Sequence, residues 1–549
     1  MPYVATLGLG FALDDVPIIA TNPLVHHWSG VVHAFQTPYW PAAAGAAMYR
    51  PLVLASFAVD WQTGQLFWLH LVNVLWHVAV SVTVAALARD WSASPGGGLV
   101  AGLAFAVHPV HVEAVANLVG RAELMAALFA LLSVYAALAH DRLAWSLVAL
   151  VLGLLSKETA ATVPGLIVAG WMTGVGRSSS RTRMLSYVAG WGSVAVAYGI
   201  VRWTLLHGHS DQVQSAPVFV GAGFAATRVT AIAAFADIAR LLAFPLKLRV
   251  DYSPAERTLV SSLLDPRFAL GLACFVLWAS LVGLAWRRGW RTTSFGLLWI
   301  AVAVLPVSNL LFASGVLVAE RALYLPSAGL AIALGDSLSR LPGRTRAVVL
   351  ATLCLLCGAR TAQRVPVWRN SDTVLQSVRH DSPRSYVGPM DSASMLLAQR
   401  RPEEALAEFR IAASRTTGAP KLLTLGADAA LTLGRSRLAD SLLGELDRMC
   451  SRCRFYLDFE ARAALARGDS AVADSLRIRL SALTGRRLSD GVSGEWSTRP
   501  YPPDDLPHAR ALPRHQDADA VDARRDPGHQ ENGEQQDDEG ADQLGGGDW

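Results

Sequence analysis

Neither common nucleotide-phosphate signature is present: no G-x-G-x-x-G follows a candidate strand, and there is no Walker loop. A soluble nucleotide is therefore not an expected ligand. Cysteine is scarce, five in 549 residues, which excludes a disulfide-stapled framework. Cys354 and Cys357 stand one helical turn apart in an apolar run, where buried packing is expected. Cys450 and Cys453 form a CxxC without the second pair that a structural zinc needs, leaving a local disulfide and two free thiols both open. Nothing in the charge pattern suggests nucleic-acid binding, and the net charge of +4 averages unlike parts. Membrane-length apolar runs are absent beyond 361.

Before that point such runs dominate. Segments such as 66–88 (LFWLHLVNVLWHVAVSVTVAALA) and 294–313 (SFGLLWIAVAVLPVSNLLFA) are long enough to cross a hydrocarbon layer as helices. Spans are expected near 67–88, 97–118, 122–139, 143–156, 159–175, 185–206, 268–286, 294–313, 322–339 and 345–360. The organisation read from composition is a first outer loop at 1–66, a polytopic membrane domain at 67–360, a soluble helical region at 361–490 and a tail at 491–549. Residues 499–549 carry 5 Arg against 13 Asp or Glu, a net of −8, and few large apolar residues. That is the composition of disorder.

Charge orients the spans. Arg89, Arg142, the Arg177/Arg181/Arg183 group, Arg287/Arg288/Arg291 and Arg340/Arg344/Arg346 fall in alternate loops, which the positive-inside rule assigns to the cytoplasm. The parity holds if 207–267 stays outside as one segment. Its apolar part near 225–245 carries Arg228, Asp237 and Arg240, which favours an interfacial helix over a span. The amino-terminal region, the turns at 119–121, 156–158 and 314–321, and everything after 361 then share the outer face of a plasma (inner) membrane. An outward start with only about a dozen mildly apolar residues before Asp14 leads us to expect a first helix encoded upstream.

The region after 361 repeats. Ala405, Ala439 and Ala473 are spaced by 34 residues, with Gly434 and Gly468 five positions before the last two, and Ser371 and Pro383 extend the register. A 34-residue period with small residues at helix crossings is the tetratricopeptide signature, here degenerate at the large aromatic positions. Such an array is a docking surface.

The most unusual polar feature is ALDDVP at 12–17. Adjacent carboxylates, Asp14 and Asp15, border an apolar array where ionisable groups are costly, so they mark a candidate reaction site.

With YRPL (49–52), HLVNVLWH (70–77), HPVHVEAVANLVGRAE (108–123), LSKETA (155–160), PLKLRVDYS (245–253), AERALYLPSAG (319–329) and WRNSDTVL (368–375) following in order, the chain resembles the transmembrane and tetratricopeptide-repeat-containing protein O-mannosyltransferases and their bacterial relatives. The resemblance covers roughly 12–490 and implies the all-α GT-C membrane glycosyltransferase fold. It also implies transfer of a sugar, mannose or another hexose, from a polyprenyl phosphate to a protein Ser/Thr hydroxyl on the outer face.

The chemistry gives independent reasons for these residue types. Attack by a hydroxyl on an anomeric carbon needs a base, and Asp14 or Asp15 fills that role while its neighbour orients it or holds a divalent cation. Direct displacement inverts the anomeric centre. The departing phosphate needs cationic donors, for which Arg321, Lys157 and Arg121 are candidates. Each stands near a glutamate in sequence (Glu320, Glu158 and Glu123), so structural ion pairing is the competing reading. His108 and His111 with Glu113 have a spacing that could suggest metal, but His-x-x-His on a proline-containing segment lacks the third ligand and fixed helix register of a zinc site, so packing or hydrogen bonding near substrate is expected. Asp251 and Tyr252 touch acceptor or sugar, or anchor their loop; Arg50 beside Pro51 steadies the first loop. The expected partners are the lipid-linked sugar, membrane lipid and an acceptor protein docked on the repeats. Two other classes are a catalytically silent scaffold docking through the repeats, and a transporter or flippase.

Overall fold

The computed structural model describes residues 2–41, 48–177, 179–206, 216–253, 255–416 and 419–450, and beyond these 457, 460, 461, 464, 465 and 468–484. Every regular element among the described residues is helical, and none is a strand. The expected tail at 491–549 and Cys453 lie outside the described residues, and the Cys354 and Cys357 thiols are unbridged.

Among the described residues five helices are long and apolar enough to cross a membrane: Leu66–Trp91, Leu118–Leu138, Arg181–Leu206, Pro266–Arg287 and Gly343–Trp368. Gly96–Ala106 and Pro109–Ala116 make a sixth only as a pair bent by 48°. This is a multi-pass membrane protein, but ten uninterrupted spans are not what forms. The expected 97–118 span breaks at His108-Pro109, because proline cannot donate to the preceding turn and displaces its neighbour from the helical region. Leu143–Ser156 and Arg291–Val304 have 14 residues each. At 1.5 Å per residue, about 21 Å, neither crosses a core of about 30 Å alone.

We label the helices that frame the site α1 (Pro51–Trp61), α2 (Leu66–Trp91), α3 (Gly96–Ala106), α4 (Arg121–Leu138), α5 (Leu143–Ser156), α6 (Val163–Thr173), α7 (Arg181–Leu206), α8 (Phe224–Ala243), α9 (Pro266–Arg287), α10 (Arg291–Val304), α11 (Tyr324–Ser339) and α12 (Gly343–Arg364). The core joins α2, α3, α4, α6, α10 and α11, with Leu124, Leu131, Leu166, Phe295, Trp299 and Tyr324 buried inside it. Small residues let the backbones meet: a Cβ on Gly296 would stand 2.4 Å from the Gly329 carbonyl oxygen, and the reverse distance is the same. Close backbone contact of this kind supplies dispersion where lipid removes the hydrophobic drive. Helices α7, α9 and α12 bury only 11% of their apolar windows. Their exposed Val196, Trp203, Val276 and Leu355 face outward, as lipid-contacting surfaces do.

The interrupted apolar segment near 225–245 forms α8, packed along α9. Its charges find partners: Asp237 receives both Arg257 Nε and Nη2 at 2.7 Å, and Arg228 Nη2 donates to the Leu311 carbonyl at 3.0 Å.

Beyond α12 come α13 (Ser371–Asp381), α14 (Val387–Ala398), α15 (Pro402–Ala413), α16 (Pro420–Thr432), α17 (Ser436–Cys450) and α18 (Ser470–Thr484). The 34-residue period is geometric as well as compositional. Arg400, Gly434 and Gly468 all take positive φ (58°, 67° and 82°). The N–H groups of Arg401, Arg435 and Asp469 return to the carbonyls of Leu396, Ala430 and Ala464 at 2.9, 2.8 and 2.8 Å. Each is a left-handed helix stop, for which glycine is the unstrained residue. Ala405, Ala439 and Ala473 are fully buried where the following helices cross. Backbone bonds tie this array to the membrane helices' neighbourhood: Gly10 N–H donates to Arg369 O at 2.7 Å and Leu13 N–H to Ser371 Oγ at 3.0 Å.

Candidate active site

The two adjacent acids have different environments. Asp15 is fully buried, and its carboxylate accepts N–H groups from Ala12 at 3.1 Å, Leu118 at 3.4 Å and Val119 at 2.8 Å. It closes the turn that starts α4. Burial pushes its carboxyl up to about 7 against the pull of those three donors. Asp14 is partly exposed, and its carboxylate has no hydrogen-bond partner among the described residues. Leu13 immediately before it holds φ at 46°, a conformation that costs a branched residue energy and persists only where surroundings enforce it. A π-helical turn, Val16–Ala20, follows. The chain is thus bent on both sides of the acid that remains uncommitted.

Charged groups from several elements form a linked cluster, and one of its members, Arg321, lies in the field of Asp14. Lys157, extended between α5 and the turn Glu158–Thr162, donates to the Glu123 carboxylate at the start of α4. Glu158 receives Arg50 Nη2 at 3.0 Å from the first turn before α1 and Arg202 Nη1 at 3.3 Å from α7. Arg321 gives Glu113 both its backbone N–H at 2.9 Å and its Nη1 at 2.5 Å. Fields link these pairs: Asp14 and Glu123 act on Arg321, and Arg50 and Arg321 act on Lys157. Burial works to raise Glu158, but Arg50, Lys157 and Arg202 hold its carboxyl down at about 2. Burial lowers the Lys157 ammonium below its ordinary value, with Glu123 opposing. Glu113 raises the Arg321 guanidinium, and Asp14 adds to that effect. Arg321 remains 41% exposed and has donors to spare, whereas Lys157 is 15% exposed.

Arg121 does not join this group. It is fully buried, with Nη1 on Asp60 at 2.5 Å, Nε on Asn73 at 2.8 Å and Nη2 on the Leu69 carbonyl at 2.8 Å, and it lies over the Phe57 ring. Its guanidinium ties α1 and α2 to α4, an arrangement that fits the structural ion-pairing alternative to a phosphate contact. Lys157 pairs with Glu123 and Arg321 with Glu113, in neither case the glutamate adjacent in sequence. Glu320 instead accepts Arg249 N–H at 2.5 Å and Tyr252 Oη–H at 2.9 Å.

His108 Nε2 meets the Leu242 carbonyl at 3.0 Å, and His111 Nε2 meets Ser327 Oγ at 2.7 Å with its ring among Phe105 and Tyr324. Both are held by packing. Among the described residues no group of three or more His, Cys, Asp or Glu is placed to hold a metal ion. Asp251 accepts Ser385 Oγ–H at 2.6 Å and Tyr252 reaches Glu320, so this pair fastens the segment before α9 to the repeats and to the 320 turn. The sequence reading missed Asp60, Arg202, Tyr39 and Asp391. Tyr39 lies under Arg50 at 5.1 Å from ring centroid to guanidinium and feels Asp14. Asp391 on α14 feels Lys421 and Asp14, and burial raises its carboxyl to about 6. Only Asp60 carried a sequence signal, a lone acid in an apolar helix.

The fold and site define a multi-pass helical membrane protein with a charged cluster where the first acidic turn, α4, α5 and the 320 turn converge. The chain is similar to the Caenorhabditis elegans protein O-mannosyl-transferase F38B6.6 at 27% identity over 402 residues, covering 69% of this chain and 56% of that protein. It is similar to human protein O-mannosyl-transferase TMTC4 at 28% over 438 residues, covering 67% and 58%. It is also similar to Drosophila melanogaster Tmtc2 at 32% over 309 residues, covering 52% and 32%. The likeness is thus to a TMTC-like family whose members carry the name protein O-mannosyl-transferase. The chain spans under three-fifths of the length of each of these relatives. No family model and no solved structure matches it.

Proposed function

We propose that this protein is a membrane protein O-glycosyltransferase that moves mannose or a related hexose from a polyprenyl-phosphate donor to a Ser/Thr hydroxyl. Similarity to proteins named O-mannosyl-transferases supports the activity class. The observation that carries the site is the division of labour in the acid pair: Asp15 is used up by three backbone N–H groups, while Asp14 is free, partly exposed and in the field of Arg321.

In this reading Asp14 takes the acceptor hydroxyl proton as the oxygen attacks the anomeric carbon, and the sugar–phosphate bond breaks on the opposite face with inversion. The electron pair leaves with the phosphate, whose developing charge is met by Arg321 and, beside it, Lys157 and Arg50. Glu113, Glu123 and Glu158 hold those cations in place before the donor arrives, so little reorganisation is needed during transfer. Asp14 is also the group available to a divalent cation, should transfer prove metal-dependent. The membrane helices give a lipid-linked donor lateral access, and the site opens away from the cytosol under the charge-derived topology. The acceptor approaches along α14, where Asp391 lies in the fields of Asp14 and of Lys421 from α16. Intact-mass measurement of exported proteins from cells with and without the gene tests the proposal. A hexose increment present only with the gene supports it, and identical masses count against it.

A further inference from the structure

At the opposite end of the helices lies a second charged feature. Helices α2 and α4 begin beside the acid-pair cluster, α2 through Asn73, which donates to the carbonyl of the Leu118 that caps Asp15, and α4 through Glu123, and both run away from it to Trp91 and Leu138. There they meet the end of α6 at Gly174 and the start of α10 at Arg291, around a cavity of about 410 Å³. Its charged and aromatic walls are Asp90, Trp91, His140, Arg177 and Arg291. The site cluster contributes nothing to it.

The charge balance of this cavity is unusual. Its one acid is already committed: Asp90 receives Arg89 Nε at 2.9 Å and the Tyr135 hydroxyl at 2.6 Å. Two neighbouring arginines are engaged as well, Arg183 by Asp141 at 3.0 Å and Arg340 by Asp336 at 3.0 Å. Arg177 and Arg291 have no ion-pair partner among the described residues, although both border the same concavity. The amino end of the 14-residue α10 adds positive partial charge. Thr292 closes one wall by donating its hydroxyl to the Trp91 carbonyl. Two uncompensated guanidinium groups in one concavity are a binding arrangement for a phosphate.

The level of the cavity says where that phosphate comes from. Exposed Trp145 at the start of α5, Trp286 near the end of α9 and Met172 near the end of α6 stand at the same helix ends. Tryptophan at helix ends beside arginines marks the headgroup level of a bilayer. Basic pockets between membrane helices at that level recognise anionic lipid headgroups.

We propose that this cavity holds the phosphate-bearing headgroup of an anionic membrane phospholipid, with Arg177 and Arg291 as its donors. The site is separate from the one proposed for sugar transfer, so the inference stands whether or not transfer occurs.

The test uses the full chain in nanodiscs of phosphatidylcholine alone or with phosphatidylglycerol, released for native mass spectrometry. Phosphatidylglycerol should be retained on the wild type. Retention should weaken about fivefold in Arg177→Gln or Arg291→Gln and roughly 30-fold in the double variant, at the ordinary worth of one basic side chain near a charged lipid. Arg344→Gln, at the same membrane end but outside the cavity, should retain the lipid as the wild type does. Equal retention by wild type and double variant, or equal retention of phosphatidylcholine, overturns the proposal. So does displacement of the lipid by low-millimolar inorganic phosphate, which would assign the cavity to a free anion. The Arg177→Lys/Arg291→Lys variant keeps the charge without the fork, so partial retention there separates lost binding from lost folding.

Discussion

The Asp15 carboxylate accepts the Val119 N–H at 2.8 Å across 104 residues of chain, so one of two neighbouring acids holds the fold that presents the other. Asp15→Ala should strand the buried Leu118 and Val119 N–H groups at a cost of about 1–3 kcal/mol. The check is the detergent melting temperature, which should fall for Asp15→Ala and stay unchanged for Asp14→Ala. A reversed order would refute the division of roles.

Arg321 and Arg121 should separate in the same way. Arg321→Gln keeps the backbone N–H that the Glu113 carboxylate accepts and should raise KM for the lipid-linked donor or lower kcat, by roughly tenfold or more for one lost charge-assisted contact, with a smaller fall in melting temperature than Arg121→Gln. Arg121→Gln removes the fully buried guanidinium that joins Asp60, Asn73 and the Leu69 carbonyl and should lower expression and melting temperature before any kinetic effect is read, because breaking a buried pair by removing one partner costs about 3–5 kcal/mol. Donor titrations alongside thermal melts distinguish the two outcomes.

Stability should fall as pH rises from about 4.5 to 8. Burial raises the Glu320 carboxyl to about 8 and the Asp15 carboxyl to about 7. The folded state therefore binds more protons than the unfolded state between the ordinary carboxylate range and those values. Stability from the protonated forms is complete below the unfolded pKa and is lost as pH rises through the folded one. Glu320→Gln should flatten the upper part of that slope in melts taken from pH 5 to 9. Glu158 acts in the opposite sense: held down at about 2, its contribution is present above the ordinary carboxylate value and lost on acidification.

Arg400 occupies the position that glycine fills at 434 and 468. Arg400→Gly should therefore stabilise the repeat array, by up to about 1 kcal/mol once the entropy cost of glycine is counted. Limited proteolysis of the full chain should slow in that variant, and faster cleavage would argue against the shared helix stop.

Much of this was legible in the sequence, and the exceptions share a cause. Apolar period and the 34-residue spacing are local patterns, so the long helices and the Ala405, Ala439 and Ala473 crossings could be read directly. The break at His108-Pro109 was legible from proline alone, yet hydropathy averaged across it. Partner choice was not local. Lys157 finds Glu123 at 34 residues' separation and Arg321 finds Glu113 at 208, whereas adjacency in sequence suggested Glu158 and Glu320. Arg121 looked like a site residue because its motif borders the site, but its position at the start of α4 turns it toward Asp60. Which acid is buried depended on where the 118–120 turn packs, which no spacing in 12–17 encodes.

The most direct test measures transfer from a polyprenyl-phosphate-linked hexose to a Ser/Thr peptide by purified wild type and Asp14→Asn. A loss of roughly 100- to 10,000-fold, with an unchanged melting temperature, is the predicted result. Transfer at the wild-type rate by a folded Asp14→Asn protein would contradict the account.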